Sequence, residues 1–387
     1  MTNETNRQRL LEDARNYAAA VAAEELDLLR TLAQIPAPSG KEDRRAAFVA
    51  DWLRTAGCMQ VEIDEAKNVL CFLGAAAPEG TGPLEVYSAH TDVVFEDEGP
   101  LPLEERDGLL WCPGIGDDTA NLVGLMMAAR LLANDPQLAQ GRGILVVANS
   151  CEEGLGNLRG TRALYQRFGS RIASHVTFDT YTGAIVSHAV GSERWLVGVD
   201  CEGGHSWRCF GRPNAIVELS SIISDLSSIE LPTSSRTTWN VGTITGGSTV
   251  NSIAQHAEML YEYRSGSSGC LATMRKRFRA CVAAHGGDGV QVNATLVGDR
   301  PADSDEPIEG LAQLEARAVE ALRQVTGLEP DQHPSSTDAN IPLSLGIPAL
   351  CVGAVRGGGA HTREEWIDPA SLPEGLALIC ALMLGWA

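Results

Sequence analysis

Apolar and polar residues in this chain repeat with two different periods, and the switches between them mark out the elements. Between residues 8 and 35, Leu10, Leu11, Ala14, Tyr17, Ala18, Val21, Leu28, Leu29 and Leu32 recur at helical spacing, which predicts a helix with one buried face. The run Ile35-Pro-Ala-Pro-Ser39-Gly40 stops it, because proline has no amide to donate into a helix. Ser39 with Glu42 three residues on has the spacing of a capping box and predicts a second helix through residue 55. Short apolar runs at 61–64, 69–73, 84–88, 143–149, 175–178 and 349–353 predict strands, and the stretch 120–132 predicts a helix. Strands alternating with helices indicate an α/β sheet.

The middle of the chain follows another order. A strand at 195–201, a helix at 214–229, strands at 238–244 and 258–264, a helix at 270–284 and a strand from 290 make a βαββαβ unit. The earlier pattern resumes with a helix at 308–325. The predicted fold is therefore α/β: a catalytic α/β domain with a mixed sheet, formed by 1–188 and 302–387, interrupted by a smaller α+β domain at 189–301.

Composition narrows the partners. The chain has 387 residues, 44% of them hydrophobic, and 50 acids against 30 bases give a net charge of −20. Nucleic acid and anionic membranes are excluded as partners, because their phosphates would be repelled over most of the surface. No apolar stretch approaches the roughly 18 residues of a membrane helix, and no basic-then-apolar secretion signal opens the sequence. The ten cysteines form no CxxC pair and mostly lie in apolar runs, as reduced core residues do. The cytoplasm is the predicted location. Cys151 stands apart because it precedes a pair of glutamates.

The candidate chemistry lies at the ends of the predicted strands. His90 and Asp92 follow one strand, Glu152 and Glu153 another, Asp179 a third, and His361 follows the last; Asp117 sits in Gly114-Ile-Gly-Asp117-Asp118, just before a helix. Singly, each has an ordinary reading: core histidine, helix cap or solvated loop carboxylate. Jointly they fall where open α/β sheets gather their sites, past the carboxyl ends of buried strands. Carboxylate oxygens mixed with imidazole nitrogens suit zinc, or manganese and cobalt. The groups are numerous enough for two divalent ions sharing one carboxylate.

Further motifs keep the same order: Ser39-Gly40-Lys-Glu42, Gly203-Gly204-His205-Ser206, Asn214-Ala-Ile, Gly246-Gly247 with Asn251, Arg264, Ser336-Thr-Asp338-Ala-Asn340, and Ala360-His361-Thr362 followed by Glu365. Over nearly its whole length the chain resembles the dinuclear zinc aminoacylase, peptidase T and carnosinase family of metallohydrolases. The resemblance implies that Asp117 bridges two metals, that His90 and Asp179 complete one site, and that Glu153 and His361 complete the other. Glu152 would be the general base and Asp92 would orient the His90 ring. The inserted domain would serve as lid and dimerisation domain of a homodimer. His205 would reach the partner subunit's active site to stabilise the oxyanion; the alternative is a turn histidine closing a strand.

The resemblance implies hydrolysis of an amide bond in a small substrate, a di- or tripeptide or an N-acyl amino acid, by attack of a water shared between the metals. Asn251 would contact substrate, and Arg264 would either do so or serve as an ion-pair partner. Two departures stand out: Asp118-Thr119-Ala120 replaces a stretch where relatives carry Lys or Met, and Pro334 occupies the place of an arginine that clamps a substrate carboxylate. Arg356, in the glycine-rich loop before His361, is the candidate substitute. The alternatives are a non-peptidase hydrolase of an aromatic amide or aryl amine, and a catalytically inactive binding homologue. Retention of Glu152 and of every ligand opposes the last. A nucleotide-binding reading of Gly-Ile-Gly fails, because the third glycine is missing and acids follow it.

Overall fold

The computed structural model describes residues 3–385. The chain divides into two compact units, Met1–Ala189 with Glu306–Ala387, and Val190–Asp305. Among the described residues, no helix is long and apolar enough to cross a membrane.

The first unit is built on an eight-stranded sheet in the order Val61–Ile63, Val69–Gly74, Gly143–Asn149, Leu84–His90, Ile172–Phe178, Ala349–Val352, Ala184–Val186, Asp331–Gln332. The four strands from Gly143–Asn149 to Ala349–Val352 run parallel, and their neighbours on either side are antiparallel to them. Period-two alternation feeds two cores. Val69, Cys71, Leu73, Ile144 and Val146 point into one, with the helices Asn3–Ala33, Asn121–Asn134 and Leu372–Met383. Leu70, Phe72, Leu145 and Val147 point into the other, with Leu164 and Phe168 of the helix Arg159–Phe168. Both faces being covered explains why these strands read as unbroken apolar runs. Burying each such side chain contributes about 1.5–3 kcal/mol.

In the second core lies a buried polar chain. Ser88 Oγ is 2.7 Å from His175 Nε2, and Tyr165 Oη is 3.1 Å from His175 Nδ1. The Tyr165 and His175 rings stack at 5.9 Å.

A small satellite sheet, Gly357–Gly358, Trp366–Ile367, Leu109–Trp111, Glu104–Arg106, is antiparallel throughout. The helix Asp43–Thr55 begins without the anticipated capping box. Ser39 Oγ instead donates to Asp92 at 2.5 Å, and Glu42 accepts from the amides of Gly40 and Cys151 at 2.7 and 3.2 Å. Both side chains are drawn from the helix end to the loop that carries the glutamate pair.

The second unit has a main sheet of four antiparallel strands in the order Thr237–Gly246, His256–Ser265, Gly191–Cys201, Val290–Arg300, and a two-stranded antiparallel pair, Gly204–His205 with Ser252–Ile253. Helices Ala215–Ser227 and Ser268–Ala283 supply the rest of its core, where Tyr261 stacks on Phe278. Asn214 caps the first helix, its side-chain oxygen accepting from the Ile216 amide at 3.0 Å; Ser267 caps the second through the Cys270 amide at 3.3 Å. Its first and last strands lie side by side, with Ser192 opposite Arg300.

Candidate metal centre and active site

The parallel strands end along one edge of the sheet, and polar side chains begin there. His90 is the last residue of its strand, Glu152 and Glu153 follow Gly143–Asn149, and Asp179 follows Ile172–Phe178. Asp117 comes from the turn Ile115–Ala120, and His361 from the loop joining two strands of the satellite sheet.

These side chains converge on Asp117. One carboxylate oxygen, Oδ1, lies 3.0 Å from His90 Nε2, and the other, Oδ2, lies 3.1 Å from His361 Nε2. Glu153 Oε1 lies 3.3 Å from the same His361 nitrogen. Ligand atoms of His90, Asp117 and Glu153 fall within 4.8 Å of one another, as do those of His90, Asp118 and Asp179. Sequence reasoning gave Asp118 no role. Its oxygens each accept a hydrogen bond, from the His90 amide and from Asn121 Nδ2, both at 2.8 Å. Asp118 thus holds the His90 backbone, and its place beside Asp117 was the only signal in the sequence.

The charges in this space are out of balance. Burial, then the nearby Asp117 and Glu152, push Glu153 up to about 7. Burial and the Asp117 carboxylate drive Asp179 well above the usual carboxylate range, and Asp118 is raised chiefly by burial. Burial also opposes ionisation of Asp117, but hydrogen bonds from His361 and His90 outweigh it and hold the group low. Hydrogen bonds to Asp117 and Glu153 push His361 up to about 11. Buried carboxylates so short of positive charge are costly unless a cation joins them. The donor set of imidazoles and carboxylates therefore fits divalent metal.

A second layer fixes the backbone. Asp92 accepts from the amides of Glu152 and Glu153 at 2.9 and 3.0 Å. His90 Nδ1 faces the Asp92 carbonyl at 3.0 Å and its carboxylate at 3.5 Å. Asp92 thus steadies both the ring and the glutamate loop. That loop is clasped at its base as well: buried Asp338 accepts from Asn149 Nδ2 at 2.5 Å and from the Thr161 hydroxyl. The Glu152 carboxyl is buried among these groups and raises the pKa of Glu153, Asp179 and Asp338.

In the second unit, His205 and Asn251 line one cavity of about 720 Å³, with Ser248, Ser252 and His256. His205 Nδ1 accepts from the Trp207 amide at 3.2 Å, and the Asn251 carbonyl accepts from the Ser206 amide at 3.0 Å. Arg264 is not among that cavity's walls; its guanidinium bonds Glu262 at 3.0 and 3.2 Å. Arg356, in the first unit, is engaged by Asp368 at 3.1 Å and by Glu374 at 3.2 Å.

Imidazoles and carboxylates gathered past the ends of a mostly parallel sheet are the framework of a metal-dependent hydrolase. The sequence profile of Peptidase family M20/M25/M40 matches residues 86–385, and the chain belongs to that family. It is 25% identical over 362 residues to the succinyl-diaminopimelate desuccinylase of Corynebacterium glutamicum, across 91% of this chain and 94% of that one. It shares the fold of a Staphylococcus aureus tripeptidase, with a TM-score of 0.71 at 20% identity over 94% of this chain and 98% of that one. The fold of a dinuclear metal-binding peptidase from Bacillus subtilis matches with a TM-score of 0.62 at 15% identity, over 95% and 98%. The protein is a metallohydrolase acting on C–N amide bonds.

Proposed function

We propose that the chain hydrolyses the amide bond of a di- or tripeptide or an N-acyl amino acid, using two divalent cations, zinc first, with manganese and cobalt as alternatives. His90 and Asp179 would hold one, Glu153 and His361 the other, and Asp117 both. The observation that carries the reading is Asp117, whose two oxygens each face a different imidazole. When bound, such cations acidify water and polarise a carbonyl. Glu152 takes the proton of the attacking water and hands it to the leaving amine. His205 donates to the oxygen on which charge develops.

The catalytic domain is assigned to 1–188 and 302–387 and the lid to 189–301. The lid is also assigned as the contact of a homodimer, with His205 serving the partner's site. Exposed apolar residues on the second unit support that contact, Trp207 at 86% and Phe210 at 91% exposure above all. Ten cysteines without a disulfide support a reducing cytoplasm. Asn251, on the His205 cavity, is assigned to substrate. Arg264 is assigned as an ion-pair partner of Glu262. A second reading, an aromatic amide or aryl amine as substrate, is favoured by Pro334 and by the engagement of Arg356 with Asp368 and Glu374. Both leave a substrate carboxylate without an evident arginine clamp in the first unit.

The test is a hydrolysis screen of peptides, N-acyl amino acids and aromatic amides, with each metal supplied in turn. Glu152→Ala should keep its metal and lose about 100-fold or more in turnover. Retained turnover removes Glu152 from the base role. Mixed dimers of Glu152→Ala and His205→Ala chains should recover activity; none in verified mixed dimers places His205 outside the partner's reaction.

A further inference from the structure

Glu365 was legible only as an acid four residues past His361, with no task attached. Its carboxylate is fully buried. Oε2 accepts from the Gly114 amide at 2.6 Å; Oε1 accepts from the amides of Gly116 at 3.0 Å and Asp117 at 2.7 Å, and from the Tyr181 hydroxyl at 3.1 Å. Four donors thus converge on one side chain, three of them from the backbone that presents Asp117. The Glu365 carbonyl in turn accepts from the Cys112 amide at 3.1 Å. Glycine at 116 permits this grip: a Cβ there would stand 2.9 Å from Glu365 Oε1 and 2.7 Å from the Tyr181 ring.

The satellite sheet explains the consequence. His361 lies in the loop between Gly357–Gly358 and Trp366–Ile367, which pair with each other. Trp366–Ile367 also pairs with Leu109–Trp111, with Trp366 opposite Trp111 and Ile367 opposite Leu110. The turn bearing Asp117 begins just after Trp111. Glu365 precedes the first paired residue of its strand, where it can fasten the turn to the His361 loop.

We propose that Glu365 is a positioning residue for the metal centre: by gripping the 114–117 backbone, it fixes the distance between the Asp117 carboxylate and the His361 ring. The proposal rests on the reading that Asp117 and His361 hold metal. Glutamine at 365 keeps the shape but offers one acceptor oxygen and turns an NH2 donor toward amide donors. The turn then loses its hold on one side, and Asp117 and His361 wander relative to each other. Outer partners of metal ligands typically contribute 10- to 100-fold in affinity.

The experiment is equilibrium binding of Mn2+ to the full chain, by chelator competition, for wild type, Glu365→Gln and Glu365→Asp. Circular dichroism of each metal-free protein establishes that it is folded. Glu365→Gln should bind Mn2+ about 10- to 100-fold more weakly, with much of its activity restored by excess metal. Glu365→Asp keeps the charge but is one methylene short, so it should fall between Glu365→Gln and wild type; it carries the test if Glu365→Gln does not fold. Wild-type affinity in a folded Glu365→Gln or Glu365→Asp chain overturns the proposal alone. A wild-type chain that binds no Mn2+ overturns the functional reading and this proposal with it.

Discussion

Acid should destabilise this protein through His175 as soon as the pH falls below 6.5, the ordinary value of a histidine. The imidazole is buried between Ser88 and Tyr165, and burial pushes it from its ordinary 6.5 down to about 3. The folded state therefore keeps the ring neutral while the unfolded chain takes up a proton as pH falls below 6.5. The folded pKa is depressed, so the stability is fully present above the unfolded value and is lost progressively as pH falls toward 3. Each unit of pH in that window is worth about 1.4 kcal/mol, or about 2 kcal/mol between pH 6.5 and 5. His175→Gln removes the titration and keeps one donor and one acceptor in the site. Urea unfolding of the metal-free proteins at pH 7 and pH 5 should show wild type losing about 2 kcal/mol more than the variant. Metal-free protein is used because ligand protonation would otherwise add its own pH dependence, and the remaining groups titrate alike in both chains. Equal losses in wild type and variant would refute the claim that His175 stays neutral in the fold.

Two further outcomes follow from the packing and the donor set. Gly375→Ala places a Cβ 1.6 Å from the Ala354 carbonyl oxygen, so the helix Leu372–Met383 has to move; a loss of about 3 kcal/mol is expected, and an unchanged melting temperature refutes the contact. Dialysis against a chelator should lower the melting temperature reversibly, by the equivalent of about 2.7 kcal/mol for a site held at 100 times its dissociation constant. A melting temperature indifferent to metal would count against cation binding at the Asp117 cluster.

The elements legible in the sequence were those with one buried face or an unbroken apolar run. The periodic stretch before Ile35 is the helix Asn3–Ala33, and the βαββαβ order is that of the second unit. The helix Leu372–Met383 was not anticipated because it is buried nearly all round; without a polar face there is no 3.6-residue period to find. The satellite strands, two or three residues each, are too short to show alternation. Within the site, residues that offer side chains past strand ends were visible, among them His90, Glu153 and Asp179. The bonds that hold these segments in place were not: the four on Glu365, the clasp of Asp338 on the Asn149 and Thr161 side chains, and the two amides on Asp92 join segments far apart in the chain. Ser39 and Glu42 show the same limit, since a tertiary demand overrode their local capping signal.

The side-by-side pairing of Ser192 with Arg300 bears on how the polypeptide folds. The incoming and outgoing segments of the second unit nearly touch, for a Cβ on Gly191 would stand 2.5 Å from the Ala302 nitrogen. Were that unit unstructured, the split first unit would have to close a loop of roughly 160 residues, from Val186 to Ala349, before Ala349–Val352 could join its neighbours in the sheet. At about 0.6 kcal/mol for each halving of loop length, folding the insert first relieves about 1 kcal/mol of chain entropy. Maturation of the insert thereby becomes an early kinetic aid to the domain that encloses it.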